Sequence, residues 1–84
     1  MKAKHQRTLE TLFSRPAPSA MNWTDLEALF LALGAQPLEG AGSAVRFVLN
    51  GKIGRFHRPH PRKEALPYQL RDARDFLTAA GCQP

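Results

Sequence analysis

The Asn50-Gly51 pair constrains the fold of this chain more than any other feature. It lies in the segment VRFVLNGKIGRFH, residues 45–57, between two runs in which apolar and polar side chains alternate. Such a pair is the strongest short signal for a β-hairpin, because Asn and Gly both tolerate the positive φ angles of a two-residue turn. The segment therefore predicts two antiparallel strands, at about residues 44–49 and 52–57.

A two-residue turn also determines which residues face each other across the strands, starting with Leu49 opposite Lys52. Because side chains alternate, one face of the hairpin is apolar and can pack on helices; it carries Val45, Phe47, Leu49 and Phe56. The opposite face carries Ala44, Arg46, Val48, Ile53, Arg55 and His57. On the apolar face the ring of Phe47 lies opposite Gly54, so it can cover a residue that has no side chain of its own.

The same register places Arg46 directly opposite Arg55. Like charges repel in such a cross-strand pair. The pairing therefore makes most sense if an anion lies between the two guanidinium groups. The alternative is an ordinary solvated face, because arginine side chains can splay apart into water.

Helical periodicity is present on both sides of the hairpin. Apolar residues at helical spacing predict a short helix over residues 3–14, which the prolines of the following RPAPSA segment end. A last helix is predicted at about residues 67–80, with one apolar face and a stop at Gly81.

A further helix is predicted from residue 22 onward, and its signals are more specific. Asn22 and Thr24 are both candidates for the N-cap, and Thr24 followed by Glu27 fits a capping box. Gly34 provides the left-handed residue that ends the helix. At its start, Trp23 is expected to anchor the core.

Between this helix and the hairpin, residues 35–39 predict a short strand, which Pro37 confines to an edge of the sheet. The order is then helix, helix, three antiparallel strands, helix. This order predicts an α+β fold with a three-stranded antiparallel sheet and helices packed on one face. At 84 residues the chain makes one domain, residues 1–84.

Basic residues are concentrated around the hairpin. Residues 40–63 contain six of the twelve Lys and Arg residues and no acid, in a chain of net charge +5. The six are Arg46, Lys52, Arg55, Arg58, Arg62 and Lys63. This charge favours a phosphate-rich partner or an acidic protein over a small neutral substrate.

Several classes of protein are excluded or disfavoured. Cys82 is the only cysteine, which excludes an intramolecular disulfide and a cysteine metal site and fits a reducing cytosol. His57 and His60 have no third ligand at a recognised spacing, so we expect no metal and no cofactor. No apolar run approaches the ~18 residues of a membrane span, and no signal peptide begins the chain. We expect a cytoplasmic protein without a membrane partner.

Short motifs in this chain resemble the HicA family of bacterial toxins. They are Gly42-Ser43 at the opening of the second strand and RPHP, residues 58–61, before a closing helix that ends in Gly. The resemblance spans residues 23–81, and FHRPHP with an extra N-terminal helix is similar to a subgroup of these proteins.

The resemblance implies a fold like that of double-stranded-RNA-binding domains, formed by residues 22–81, with residues 1–20 as an additional helix and Pro-rich connector. It also implies a toxin that cleaves mRNA and a HicB-type antitoxin that covers the active site. The six basic residues around the hairpin are then candidate RNA contacts.

One position departs from the family pattern. The family's catalytic histidine follows the Gly-Ser pair, and here that position is Ala44, whose methyl group cannot act as an acid or a base. Three interpretations are open: this subgroup never used the histidine, a neighbour has taken over its task, or an inactivating substitution was made so that a toxic protein could be expressed. The register places His57 directly across from Ala44, which bears on the second interpretation.

Cleavage of RNA at a phosphodiester needs a base near the 2′-OH, an acid for the leaving oxygen and cations for the developing charge. His57, His60, Arg46 and Arg55 can provide this set without a metal. Each histidine also has an ordinary interpretation, since His57 can be a surface residue and His60 can hydrogen-bond its turn. The alternative functions are a non-catalytic double-stranded-RNA-binding module and an interaction protein whose basic face binds an acidic partner.

Overall fold

The computed structural model describes all 84 residues and contains three helices and five strands. The helices are α1 (Ala3–Leu12), α2 (Trp23–Ala32) and α3 (Pro67–Ala79). The strands are β1 (Met21–Asn22), β2 (Gln36–Glu39), β3 (Ala44–Leu49), β4 (Lys52–His57) and β5 (Glu64–Ala65). None of the helices combines the length and the apolar character that crossing a bilayer requires.

The three longer strands form an antiparallel sheet in the order β2-β3-β4, with Pro37 on the edge strand as predicted. Asn50 and Gly51 adopt φ angles of 51° and 79°, and Leu49 faces Lys52. The register of the whole hairpin follows, with Arg46 opposite Arg55. The α+β fold and the register predicted from the turn are both confirmed.

All apolar residues assigned to one face of the hairpin are buried, and they join the helices in a single core. Phe30 of α2 lies at its centre. Its ring centroid is 5.0 Å from that of Phe47, 5.4 Å from that of Phe56 and 5.4 Å from that of Phe76. Trp23 is 5 % exposed and packs on Phe56, as expected of a core anchor. The helices therefore cover one face of the sheet and leave the other open.

Gly54 is covered most closely by the rings of Phe76 and Phe56. A Cβ atom on Gly54 would lie 2.8 Å from Cγ of Phe76 and 2.9 Å from Cε2 of Phe56. The nearest ring atoms thus belong to α3 and to β4 itself, and Phe47 is not among them. Phe47 is the register partner of Gly54, and additional cover of the glycine by its ring stays a prediction.

The beginning of α2 also differs from the prediction. Asn22 is the N-cap, and its Oδ1 accepts a hydrogen bond of 3.0 Å from the Thr24 backbone N–H. The helix therefore starts at Trp23, and Glu27 lies too far along it to complete a capping box. Glu27 instead accepts a hydrogen bond of 2.8 Å from the Trp23 indole N–H. Gly34, with a φ angle of 101°, ends the helix as predicted.

Two short strands were not predicted. β1 pairs antiparallel with β5, Met21 facing Ala65 and Asn22 facing Glu64. This pair joins the segment before α2 to the segment before α3. Two-residue strands have no periodicity, so the sequence contains no signal for them.

We expect Gly54→Ala to destabilise the protein by about 1–3 kcal/mol, because the added methyl group overpacks the contact with Phe76. Chemical denaturation measures the change. In a chain that already carries Phe76→Leu, Gly54→Ala should cost less free energy of unfolding than in the parent, because the two positions share one contact. A fully additive double-mutant cycle, or a Gly54→Ala variant as stable as the parent, would contradict this account.

Candidate functional site

The face of the sheet that points away from the helices carries an ordered set of side chains, which we call the open face. It consists of Gln36, Leu38, Ala44, Arg46, Val48, Ile53, Arg55 and His57, all exposed or half-buried. The register arranges them in rows across the strands. Val48 and Ile53 lie near the hairpin turn, the two arginines lie in the middle, and His57 lies at the far end opposite Ala44.

A cavity of about 290 Å³ lies at the far end of the open face. Its lining includes Gly40, Ala44, Arg46, Arg55 and His57. The structure therefore brings four of the residues singled out in the sequence around one cavity. Arg46 and Arg55 form no ion pair within 4.0 Å, so their positive charges are uncompensated by this chain.

His57 is held by its backbone more than by its ring. The side-chain N–H of Gln69 donates a hydrogen bond of 2.8 Å to the His57 carbonyl, and Gln69 accepts one of 3.0 Å from the Leu66 N–H. Gln69 is only 3 % exposed, so it fixes the end of β4 against the start of α3. The ring itself has one partner, with its Nδ1 atom 3.4 Å from the Ser43 hydroxyl oxygen.

Ala44 lies where the loop from β2 enters β3. Its carbonyl accepts a hydrogen bond of 2.9 Å from the Gly40 N–H, and its own N–H donates one of 3.1 Å to the Ala41 carbonyl. On the other side of the hairpin, the Arg58 N–H donates a hydrogen bond of 2.9 Å to the Ser43 carbonyl. The backbone around Ala44 and His57 is thus fixed from both strands.

Arg58 points to the helix side of the sheet, away from the open face. Its Nε and Nη2 atoms donate to the two carboxylate oxygens of Glu27 at 2.9 and 3.1 Å. Its Nη1 and Nη2 atoms donate to those of Glu39 at 2.6 and 2.9 Å. Glu27 also holds the Trp23 indole. Arg58 therefore joins α2, the end of β2 and the end of β4.

These contacts change the proton affinity of all three groups. Hydrogen bonds from Arg58 lower the pKa of Glu27, although partial burial opposes the shift. The same arginine lowers the pKa of Glu39, chiefly through its hydrogen bonds. The two carboxylates in turn raise the pKa of Arg58. All three groups are charged at neutral pH, so the guanidinium is neutralised by this chain's own acids.

The remaining basic and histidine candidates lie outside the cavity. Lys52 is on the helix side of β4, next to Asp72 and Asp75 of α3. Three more are exposed in the segment between β4 and β5: His60, Arg62 and Lys63. The basic stretch that is continuous in sequence is therefore divided in space. No cluster of three or more His, Cys, Asp and Glu side chains that could hold a metal is present.

Three residues that support the site had no signal in the sequence analysis: Gln69, Ser43 as a partner of His57, and Glu39. Gln69 resembles any polar residue in the first turn of a helix until its two bonds are seen. Glu27 was noticed for a capping box that does not form. Its actual role depends on Arg58, which is 31 positions away along the chain.

The family model for the HicA toxin of bacterial toxin–antitoxin pairs matches residues 23–82. The chain belongs to the HicA toxin family. The match confirms the resemblance seen in the Gly42-Ser43 and RPHP motifs, both of which lie inside it. No curated protein and no solved structure matches the chain significantly.

The HicA match begins at Trp23, so α1 and the Pro-rich connector lie outside it. α1 nevertheless contributes Leu9 and Leu12 to the core that contains the matched residues. Lys4 of α1 also lies 3.4 Å from the carboxylate of Asp25 in α2. The additional helix packs on the HicA core on the side away from the open face.

The Arg58 cluster predicts how stability depends on acid. The pKa values of Glu27 and Glu39 are lowered in the folded state. The contribution of the cluster to the free energy of unfolding is therefore fully present above the ordinary carboxylate pKa of 4.5, and it is lost as the pH falls through the lowered values. The double variant Glu27→Gln/Glu39→Gln should therefore lose less free energy of unfolding between pH 6 and about pH 3 than the parent. Denaturant unfolding at a series of pH values measures this slope.

Glu10→Gln is the control for this experiment, because Glu10 is an exposed carboxylate that forms no ion pair. It should keep the acid dependence of the parent. Equal slopes in the double variant and the parent would show that Arg58 does not determine the titration of these carboxylates.

Proposed function

We propose that this protein is an RNA-binding toxin that cleaves mRNA at the open face and is neutralised in the cytoplasm by a HicB-type antitoxin. The observation that carries the proposal is the meeting of Arg46, Arg55 and His57 around one cavity, in a member of the HicA family. Two cations and one titratable ring supply the charge stabilisation and one of the two proton-transfer groups that phosphodiester cleavage requires.

RNA binding rests on the charge of the open face. Arg46 and Arg55 are opposite each other, exposed and without an acidic partner in this chain. A phosphate between them would relieve their repulsion and accept hydrogen bonds from both guanidinium groups. Additional contacts are proposed for Arg62 and Lys63 in the exposed segment after β4, and for Lys52, which lies beside the hairpin turn on the helix side of β4. We leave Arg58 out of the direct contacts, because its donors are occupied by Glu27 and Glu39.

The proposed chemistry is transfer of the phosphoryl group to the neighbouring 2′ oxygen. A base removes the proton of the 2′-OH, the bond from O2′ to phosphorus forms, and the bond from phosphorus to O5′ breaks as an acid protonates O5′. His57 is the proposed base or acid at the cavity, and the two arginines stabilise the charge on the phosphorane. His60 is the second candidate, and it reaches the phosphate if the RNA extends along the segment after β4.

In this proposal His57 has taken over the task of the family's catalytic histidine, whose position is occupied here by Ala44. The two residues are direct partners across the hairpin and line the same cavity. A ring at position 57 and a ring at position 44 can therefore reach much the same space. The rival function, a double-stranded-RNA-binding module that does not cleave, is favoured by the methyl group at position 44 alone.

The double variant Arg46→Ala/Arg55→Ala should weaken RNA binding, because it removes two proposed phosphate contacts. For single-stranded RNA the slope of log K against log salt should become shallower by about 1.4. Fluorescence anisotropy at several salt concentrations measures both quantities. Arg71→Ala/Arg74→Ala removes the same charge from α3 and should leave the slope nearly unchanged. If both double variants behave alike, the RNA does not lie on the open face.

His57→Ala should abolish the toxicity of the chain in cells that lack the antitoxin, and Ala44→His should increase it. A general acid or base typically contributes 10²–10⁴ in rate, which exceeds the effect of a modest loss of stability. Growth after induced expression and cleavage of a labelled transcript are the measurements, with melting curves as the check on folding. A folded His57→Ala variant with full activity, beside an Ala44→His variant no more toxic than the parent, would favour the non-cleaving module.

A further inference from the structure

The outer edge of β4 has free backbone hydrogen-bonding groups. β4 is the last strand of the sheet, with β3 on one side only. Because the two-residue turn closes on Leu49 and Lys52, Gly54 and Phe56 bond to β3, and the N–H and C=O groups of Ile53 and Arg55 point outward. No backbone or side-chain group of this chain bonds to those outward groups.

This open edge is short and bounded at both ends. At its far end the His57 carbonyl already accepts the hydrogen bond from Gln69. At its near end the Asn50 side chain donates a hydrogen bond of 2.8 Å to the Ala80 carbonyl, which fixes the turn to the end of α3. The available window is therefore Ile53, Gly54 and Arg55, enough for one short segment of added strand.

A groove of about 330 Å³ runs between this edge and α3. Phe56 and Phe76 contribute apolar surface to it, and Asp72 and Asp75 line it from the helix. Neither aspartate has a cation within 4.0 Å, although the chain as a whole is basic. Lys52 also lines the groove on the helix side, without an ion pair to either aspartate. The two aspartates outnumber it there, while Arg55 offers a cation on the open face.

We propose that a strand of the antitoxin adds to the β4 edge antiparallel, with an acidic residue opposite Arg55 and a basic residue opposite Gly54. This inference rests on the proposed function, since it takes the neutralising partner to be a protein. Backbone hydrogen bonds to an exposed edge are a general mode of peptide recognition, with specificity from alternate side chains. Here the acidic side chain of the partner meets Arg55 on the open face, and the basic side chain meets Asp72 and Asp75 on the helix side.

The register specifies three consecutive residues of the partner. Running antiparallel to β4, they meet Arg55, Gly54 and Ile53 in that order, so their chemistry is acidic, basic and apolar. The basic side chain points to the helix side, where its stem can cover Phe76 and its charge can reach Asp72 or Asp75. The acidic side chain points to the open face beside Arg55, at the edge of the proposed phosphate site.

A second copy of this chain fits the edge poorly. Antiparallel pairing of β4 with its own copy would bring the Arg46 and Arg55 pairs of both copies together on the open face. It would also bring the aspartates of the two α3 helices together on the other side. Like charges meet on both faces, so we assign the edge to a different protein. RNA is disfavoured on the helix side of the same groove, because the two carboxylates of Asp72 and Asp75 outnumber the one cation there, Lys52.

The experiment uses the whole chain, labelled with ¹⁵N, and a synthetic peptide with the core Thr-Glu-Lys-Val-Thr. As peptide is added to millimolar concentration, the NMR chemical shifts of the Ile53 and Arg55 backbone amides are expected to change and to saturate. A control peptide with Glu and Lys exchanged makes two contacts repulsive, the cross-strand pair with Arg55 and the contact with Asp72 and Asp75 of α3, and it should bind about tenfold more weakly. Asp72→Asn/Asp75→Asn should reduce this difference between the peptides.

Ile53→Pro removes one outward N–H without removing a bond to β3. Ile53→Ala removes only the apolar contact with the peptide valine, so Ile53→Pro should weaken binding of the first peptide more than Ile53→Ala does. Equal binding of the two peptides, or no shifts at the two edge amides, would overturn the proposal on the unmodified chain. So would shifts that depend on protein concentration without peptide, since a second copy would then occupy the edge. RNA binding is measured separately: peptide failure with intact RNA binding overturns only the docking site.

Discussion

The hydrogen bonds that close the hairpin at Asn50-Gly51 determine which side chains share a face of the sheet. Because the side-chain period of a strand is two, a slip of one residue would exchange the two faces. Phe47 would then point to solvent and Arg46 into the aromatic cluster around Phe30. The core and the candidate site therefore depend on the same backbone register, and neither can be changed without the other.

That register also explains why neighbouring basic residues have different roles. Arg55 and Arg58 are three positions apart, so alternation directs them to opposite faces of the sheet. Arg55 remains uncompensated on the open face, whereas Arg58 is neutralised by Glu27 and Glu39 on the helix side. A count of positive charges in the sequence treats these residues as equivalent, although only one of them is available to an external anion.

The sequence predicts what depends on local chemistry, and it predicts little that depends on distant pairs. The turn, the buried face of the hairpin and the stop at Gly34 follow from residues within a few positions of one another. The contact of Phe76 with Gly54 and the hydrogen bond from Gln69 to the His57 carbonyl both depend on how closely α3 approaches β4. That distance is determined by the packing of the whole aromatic core, and no short pattern encodes it. The β1–β5 pair was missed because strands of two residues have no periodicity.

The repulsion between Arg46 and Arg55 connects the two proposals. An unliganded sheet with this pair is less stable than one with a compensating anion between the arginines. The RNA phosphate and an acidic side chain of an added strand would both provide such an anion. Each would raise the stability of the folded chain by binding it, and each would remove the charge that attracts the other. Substrate and antitoxin would then exclude each other through shared electrostatics at Arg55, even if they contact different edges of the cavity.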